Sequence, residues 1–195
     1  MTRIHTRLFT AAAALVLGVG AGAAAAPAAS ATTVDTGHGR AHPFAVQARA
    51  AGLNATQAAE LQRQVDVNLA AFGGSQVGAN KIALGTDGVL LLPLPGEARA
   101  RDLDAKEAGI LDAPCDYNWA CTFEQPWYAG RVIKLYECGK VSNPWRGTGS
   151  WYNNQSSNYH MKFYNHTGDL GWTSPGGPSS DPTAPWDWVG YVSPC

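Results

Sequence analysis

Charge is scarce in this chain. Asp, Glu, Lys and Arg make up 15% of its 195 residues, against about a quarter in ordinary globular proteins. The formal net charge is −1. A partner such as nucleic acid or anionic lipid selects for a basic excess, and none is present, so neither is expected. Cys-x-x-Cys pairs and Cys/His knuckles are missing, which removes a structural zinc site. HExxH, G-x-S-x-G and paired catalytic carboxylates are missing as well. His160 and His166 are spaced for one face of a strand, but Asn165-His166-Thr167-Gly168 reads as a turn that separates them. The chain is therefore not expected to be an enzyme.

Long apolar runs are also few. There is one, residues 8–26, mostly Ala and Gly, behind the basic start MTRIHTR and ahead of Ala29-Ser30-Ala31. A basic start, an apolar run and an A-x-A exit make a secretory signal peptide, here residues 1–31, and the expected location is extracellular. No Arg pair points to the twin-arginine route, and no later stretch is apolar enough to span a bilayer, so no membrane association is expected after cleavage. Export into an oxidising space lets the four cysteines, Cys115, Cys121, Cys138 and Cys195, form two disulfides. Spacing alone leaves all three pairings open.

Residues 32–52 are small, polar and aperiodic and read as a flexible leader. Residues 53–95 hold a helix and a hairpin. Asn54 offers an N-cap, Leu61, Val65, Leu69 and Phe72 recur on one helical face, and Gly73-Gly74 closes it. Residues 76–84 and 89–94 flank Gly85-Thr86-Asp87-Gly88 as two strands do. A unit this small buries too little surface to stand alone. It must dock on the rest of the chain, pair with another chain, or serve as a pro-segment. Residues 96–114 are charged and read as a linker. From Cys115 helical periodicity vanishes, and aromatics, glycines and turn residues alternate over short intervals. This predicts a small all-β sandwich over 115–195.

In FEQPWYAG, residues 123–130, Phe123 and Tyr128 are five apart, with Gly130 following. That spacing folds the chain back so that the two rings pack, with glycine supplying a backbone conformation a side chain would forbid. This is the corner pattern of βγ-crystallin Greek keys, which also use a later serine to bond back to the folded hairpin; Ser150, Ser156 and Ser157 are in reach. With CDYNWACTF, GRVIKLYEC, GSWYNNQSS and the terminal Cys195, residues 115–195 resemble the Streptomyces metalloproteinase-inhibitor family of small secreted βγ-crystallin-like proteins. The resemblance implies a double Greek-key sandwich and a Cys115–Cys121 pair, which leaves Cys138 for Cys195. It also implies a monomeric inhibitor of an extracellular metalloproteinase that blocks the cleft and requires no cofactor. The second key, from about residue 158, has Phe163 and Gly168 but no aromatic between them in the second slot.

Three further features bear on binding. Asn153-Asn154-Gln155-Ser156-Ser157-Asn158 matches a βγ-crystallin calcium motif in part, making Asn153, Asn154 and Ser157 candidate ligands. The motif holds no carboxylate, and the plain alternative is a turn closed by Asn side chains. Trp145, Trp151, Trp172, Trp186 and Trp188 suit either a core or a polysaccharide-binding surface, the second functional class this fold can serve. Residues 173–185, TSPGGPSSDPTAP, read as a long proline-stiffened loop. Its Thr173, Ser174, Pro175, Pro178, Asp181, Pro182 and Pro185 are the candidate contacts with a target proteinase.

Overall fold

The computed structural model describes residues 43–85, 88–104 and 114–195. The signal peptide, residues 32–42 of the leader, the turn residues Thr86 and Asp87, and residues 105–113 of the linker lie outside them. Among the described residues two helices, α1 (Ala45–Ala50) and α2 (Ala55–Phe72), precede eleven strands. These are β1 (Ser75–Gly78), β2 (Lys81–Ala83), β3 (Gly88–Leu91), β4 (Ala120–Gln125), β5 (Ala129–Leu135), β6 (Val141–Ser142), β7 (Thr148–Asn153), β8 (His160–Tyr164), β9 (Leu170–Gly176), β10 (Ser179–Pro185) and β11 (Tyr191–Ser193). They form a seven-stranded sheet, β1-β2-β3-β5-β4-β7-β10, and a four-stranded sheet, β6-β11-β8-β9. Every pairing of named strands is antiparallel. Among the described residues the regular structure is mostly antiparallel β-sheet, with a small helical part and two disulfides.

The capping of α2 follows its sequence. The Asn54 side chain accepts the Gln57 backbone N–H, and the Gln57 side chain accepts that of Asn54. Gly73 ends the helix at φ +70°. Leu61 and Val65 are buried. The segment 76–84, expected as one strand, is two. Ala79-Asn80 turns the chain between β1 and β2, and the buried Asn80 amide holds the turn by donating to the Leu92 and Arg101 carbonyls. Next, β3 pairs along β5, from Gly88 opposite Leu135 to Leu91 opposite Val132. The helix and hairpin thereby extend the sheet of the C-terminal strands.

Two stretches expected to be featureless are built into this unit. Ala45–Ala50, within the expected flexible leader, is helical. Ala-rich sequence favours the helix, and Gln47 ties it down, accepting the Ala79 N–H and donating to Asp104. Residues 98–99 of the expected linker lie against the corner at Pro126–Tyr128, where the Gly130 N–H donates to the Ala98 carbonyl and Arg99 donates to the Trp127 carbonyl. Farther along, Asp102 pairs with Lys81 of β2 at 2.8 Å.

Both faces of the large sheet are covered near its centre. On one side lies the main core, which joins Leu61 and Val65 of α2 to Ile133, Leu135, Trp145, Trp151, Phe163 and Trp186. The two sheets meet there, with the Trp151 and Phe163 rings 5.6 Å apart. On the other side, Cys121, Phe123 and Val132 pack with Leu91 and Cys115. Strand β4 serves both: Ala120 lies in the first cluster and Cys121 and Phe123 in the second.

Candidate functional site

The corner brings its residues together. Phe123 and Tyr128 meet edge to face with ring centroids 5.4 Å apart, and Tyr152 adds a third ring 5.8 Å from Tyr128. Trp127 and Tyr128 both take left-handed backbone conformations, at φ +60° and +62°, and Gly130 follows at φ +75°. A Cβ on Gly130 would stand 3.1 Å from side-chain carbons of both Glu124 and Gln125. Of the three serines in reach, Ser150 closes the turn. Strand β7 places it opposite Phe123. Its Oγ accepts the Tyr128 N–H at 2.9 Å and donates to the Gln125 carbonyl at 2.7 Å. Around this turn, Arg131 grips Glu124 through two nitrogens at 2.9 and 2.7 Å, donates to Asn68 of α2 at 2.6 Å, and lies over the Trp145 ring. Burial pushes the Glu124 carboxyl up, but the Arg131 hydrogen bonds and charge outweigh it and hold the group below its ordinary range.

The disulfides join Cys115 to Cys121 and Cys138 to Cys195, with Cα separations of 5.9 and 5.4 Å. The first clips the loop before β4 to β4 itself. The second ties the end of the chain to the stretch after β5.

The Asn-rich segment is occupied with main-chain bonding. Asn153 is buried; its amide donates to the Tyr159 carbonyl, and its oxygen accepts from both the backbone and side chain of Gln155. Asn154 donates to the Cys115 carbonyl, and Gln155 donates to that of Pro194. Ser157 is exposed beside them. Among the described residues no three His, Cys, Asp or Glu side chains gather into a metal-sized cluster. The two histidines act separately, His160 on the Ser174 carbonyl and His166 on that of Asp187.

Residues 173–185 are not a long loop. Thr173–Gly176 closes β9 and Ser179–Pro185 is β10, so only Gly177-Pro178 lies between the strands. Here the chain crosses from the small sheet to the large one. Ser174 is buried, its hydroxyl accepting the Met161 N–H and donating to the Pro175 carbonyl. Prolines suggested a loop, but β9 and β10 are edge strands, where a missing N–H costs no ladder bond. Thr173, Pro175, Pro178 and Pro185 are exposed, while Asp181 and Pro182 are half-buried.

The tryptophans divide. Trp145, Trp151 and Trp186 are buried, with the indole N–H of Trp145 donating to Thr122 and that of Trp186 to the Phe123 carbonyl. Trp172 and Trp188 are 44% and 37% exposed. They wall a pocket of about 200 Å³ floored by Trp151, Phe163 and Trp186 and edged by Asp181 and Pro185. Sequence reasoning grouped the five indoles and had no means of joining Asp181 to them. The link is the pairing of β10 with β7, which sets Asp181 opposite Trp151. No protein-family profile, curated protein or solved structure matches the chain.

Proposed function

We propose that this is a secreted inhibitor of an extracellular metalloproteinase, built on a βγ-crystallin-like double Greek key. The observation that carries the reading is the corner. Phe123 and Tyr128 pack edge to face, Gly130 follows at positive φ, and Ser150 bonds back to the folded hairpin, which supports the Greek-key corner on which the reading rests. The contact surface is the open side formed by β9 and β10. Both are edge strands, one from each sheet, and edge backbone can pair with an extended partner strand. Proteinase clefts hold substrate backbone in extended form, so an edge stiffened by Pro175, Pro182 and Pro185 can fill one with little ordering cost. The cleft is occluded without covalent chemistry or a cofactor. Any calcium at Asn153, Asn154 and Ser157 adds to stability and not to inhibition.

The test is titration of the full exported chain against a thermolysin-type zinc proteinase. Inhibition near equal stoichiometry is expected. Thr173→Arg and Thr183→Arg, both at exposed edge positions, are expected to weaken it by tenfold or more, about 1.4 kcal/mol. No inhibition across several metalloproteinases overturns the reading. Polysaccharide binding, the second class, has less to rest on, because burial leaves Trp172 and Trp188 as the stacking faces of the five indoles considered.

A further inference from the structure

The geometry points to a binding site for a trimethylammonium group between Trp172 and Trp188, which shares β9 and β10 with the proposed proteinase contact but is argued without it. The pocket there is walled and floored by aromatic rings. The negative faces of indoles attract cations, and Trp is the strongest of the aromatic residues in this role. Asp181 stands at its edge and supplies formal charge. One of its oxygens is fixed by the Thr183 N–H at 2.8 Å, and it takes part in no ion pair among the described residues.

Internal cations cover aromatic faces elsewhere in the chain. Arg131 lies over Trp145, Lys134 over Trp119 and Lys140 over Tyr164. Among the described residues, no Lys or Arg takes that position at Trp172 or Trp188. The rings are held as a rigid wall. Trp172 packs 5.6 Å from Trp151 and 5.2 Å from Phe163. Trp188 lies over Gly171, where a Cβ would come within 2.4 Å of its ring.

Size and polarity select the ligand. The volume of about 200 Å³ falls below the roughly 300–1,000 Å³ of sites for drug-sized molecules. It takes one compact group and not an extended chain. A sugar ring would need several directed hydrogen bonds, whereas Asp181 is the only lining side chain with a polar group besides the indole N–H groups. A primary ammonium keeps its water tightly and needs three acceptors. A quaternary ammonium carries its charge on methyl groups and requires none, so aromatic faces and one carboxylate satisfy it.

The experiment is a tryptophan-fluorescence titration of the full chain with choline and tetramethylammonium. The comparison ligands are ammonium, the neutral isostere 3,3-dimethylbutan-1-ol and a soluble oligosaccharide. Saturable quenching by the two quaternary cations is expected, at least tenfold tighter than by the isostere. Asp181→Asn keeps the oxygen that receives the Thr183 N–H and is expected to weaken binding about tenfold. Trp188→Ala is expected to abolish it, with circular dichroism showing both variants folded. Sedimentation with phosphatidylcholine vesicles but not phosphatidylglycerol vesicles would identify a lipid headgroup as the source. Binding of free choline alone would identify a soluble one. The assignment is overturned by no saturable response to either quaternary cation, by equal binding of the neutral isostere, by oligosaccharide binding in their place, or by wild-type binding in both variants.

Discussion

Gly130 is constrained by its backbone conformation and by its neighbours. At φ +75° any L side chain is strained, and the two carbons 3.1 Å from its would-be Cβ belong to Glu124 and Gln125, at the end of β4. Gly130→Val is expected to destabilise by more than about 1 kcal/mol, read as a shift in urea midpoint; an unchanged midpoint would show that the turn can relax. Ser150 has a different role. It is fully buried and satisfies one donor and one acceptor of the main chain. Ser150→Ala leaves both unpaired and is expected to cost about 1–3 kcal/mol, whereas Ser157→Ala, at an exposed position, should leave the midpoint within about 0.5 kcal/mol. The aromatic pair and its glycine were legible because they are local, within eight residues of chain. Which serine answers them was not, since that depends on β7 lying beside β4 with Phe123 opposite Ser150.

Elements are joined here by ion pairs that reach across strands. Arg131 links β5 to β4 through Glu124 and to α2 through Asn68. Lys81 on β2 holds Asp102 and Asp104 of the following segment. Burial pushes Asp102 up, but hydrogen bonds from Lys81 and from the Asp104 backbone N–H prevail, and its carboxyl, like that of Glu124, sits below its ordinary range. A carboxyl depressed in the folded state contributes stability that is fully present above its unfolded value and is lost as pH falls through the folded one. Melting temperature is therefore expected to hold down to the ordinary carboxylate range and then decline with acid. Glu124→Gln should lower the neutral plateau and flatten that decline; an equally steep decline in the variant would assign the acid sensitivity elsewhere. At this scale the sequence was partly readable. The α2 face and its capping box follow from short-range spacing. The strand character of 173–185 was hidden, because its prolines are tolerated only through an edge position that belongs to the assembled sheet.

At the scale of the whole molecule, the N-terminal helix and hairpin share one core and one sheet with the C-terminal strands. Leu61, Val65, Ile82 and Leu90 are almost wholly buried in the cluster that also holds Ile133, Leu135 and Trp145, and β3 occupies the edge of β5 from Val132 to Leu135. Composition shifts sharply at Cys115, which made the chain read as two parts; burial and strand pairing are long-range and leave no mark on composition. Removing residues up to 113 would strip large aliphatic side chains from the core, Leu61, Val65, Ile82 and Leu90 among them. Each is worth roughly 1.5–3 kcal/mol on full burial, and β5 would be bared as a new edge open to aggregation. That loss is comparable with the entire stability of an ordinary domain, about 5–15 kcal/mol. The disulfides soften it, the 57-residue separation of Cys138 and Cys195 contributing about 4 kcal/mol if chain entropy dominates. They cannot replace the apolar cover over Ile133 and Trp145. Residues 40–195 are expected to unfold in urea as one cooperative transition followed alike by tryptophan fluorescence and far-ultraviolet circular dichroism. Residues 115–195, with both disulfides formed, are expected to bind a hydrophobic dye and to lose that cooperative transition. A sharp transition in the shorter chain, at a similar midpoint and without dye binding, would mean that the sandwich completes its own core and that β3 only rests on its edge.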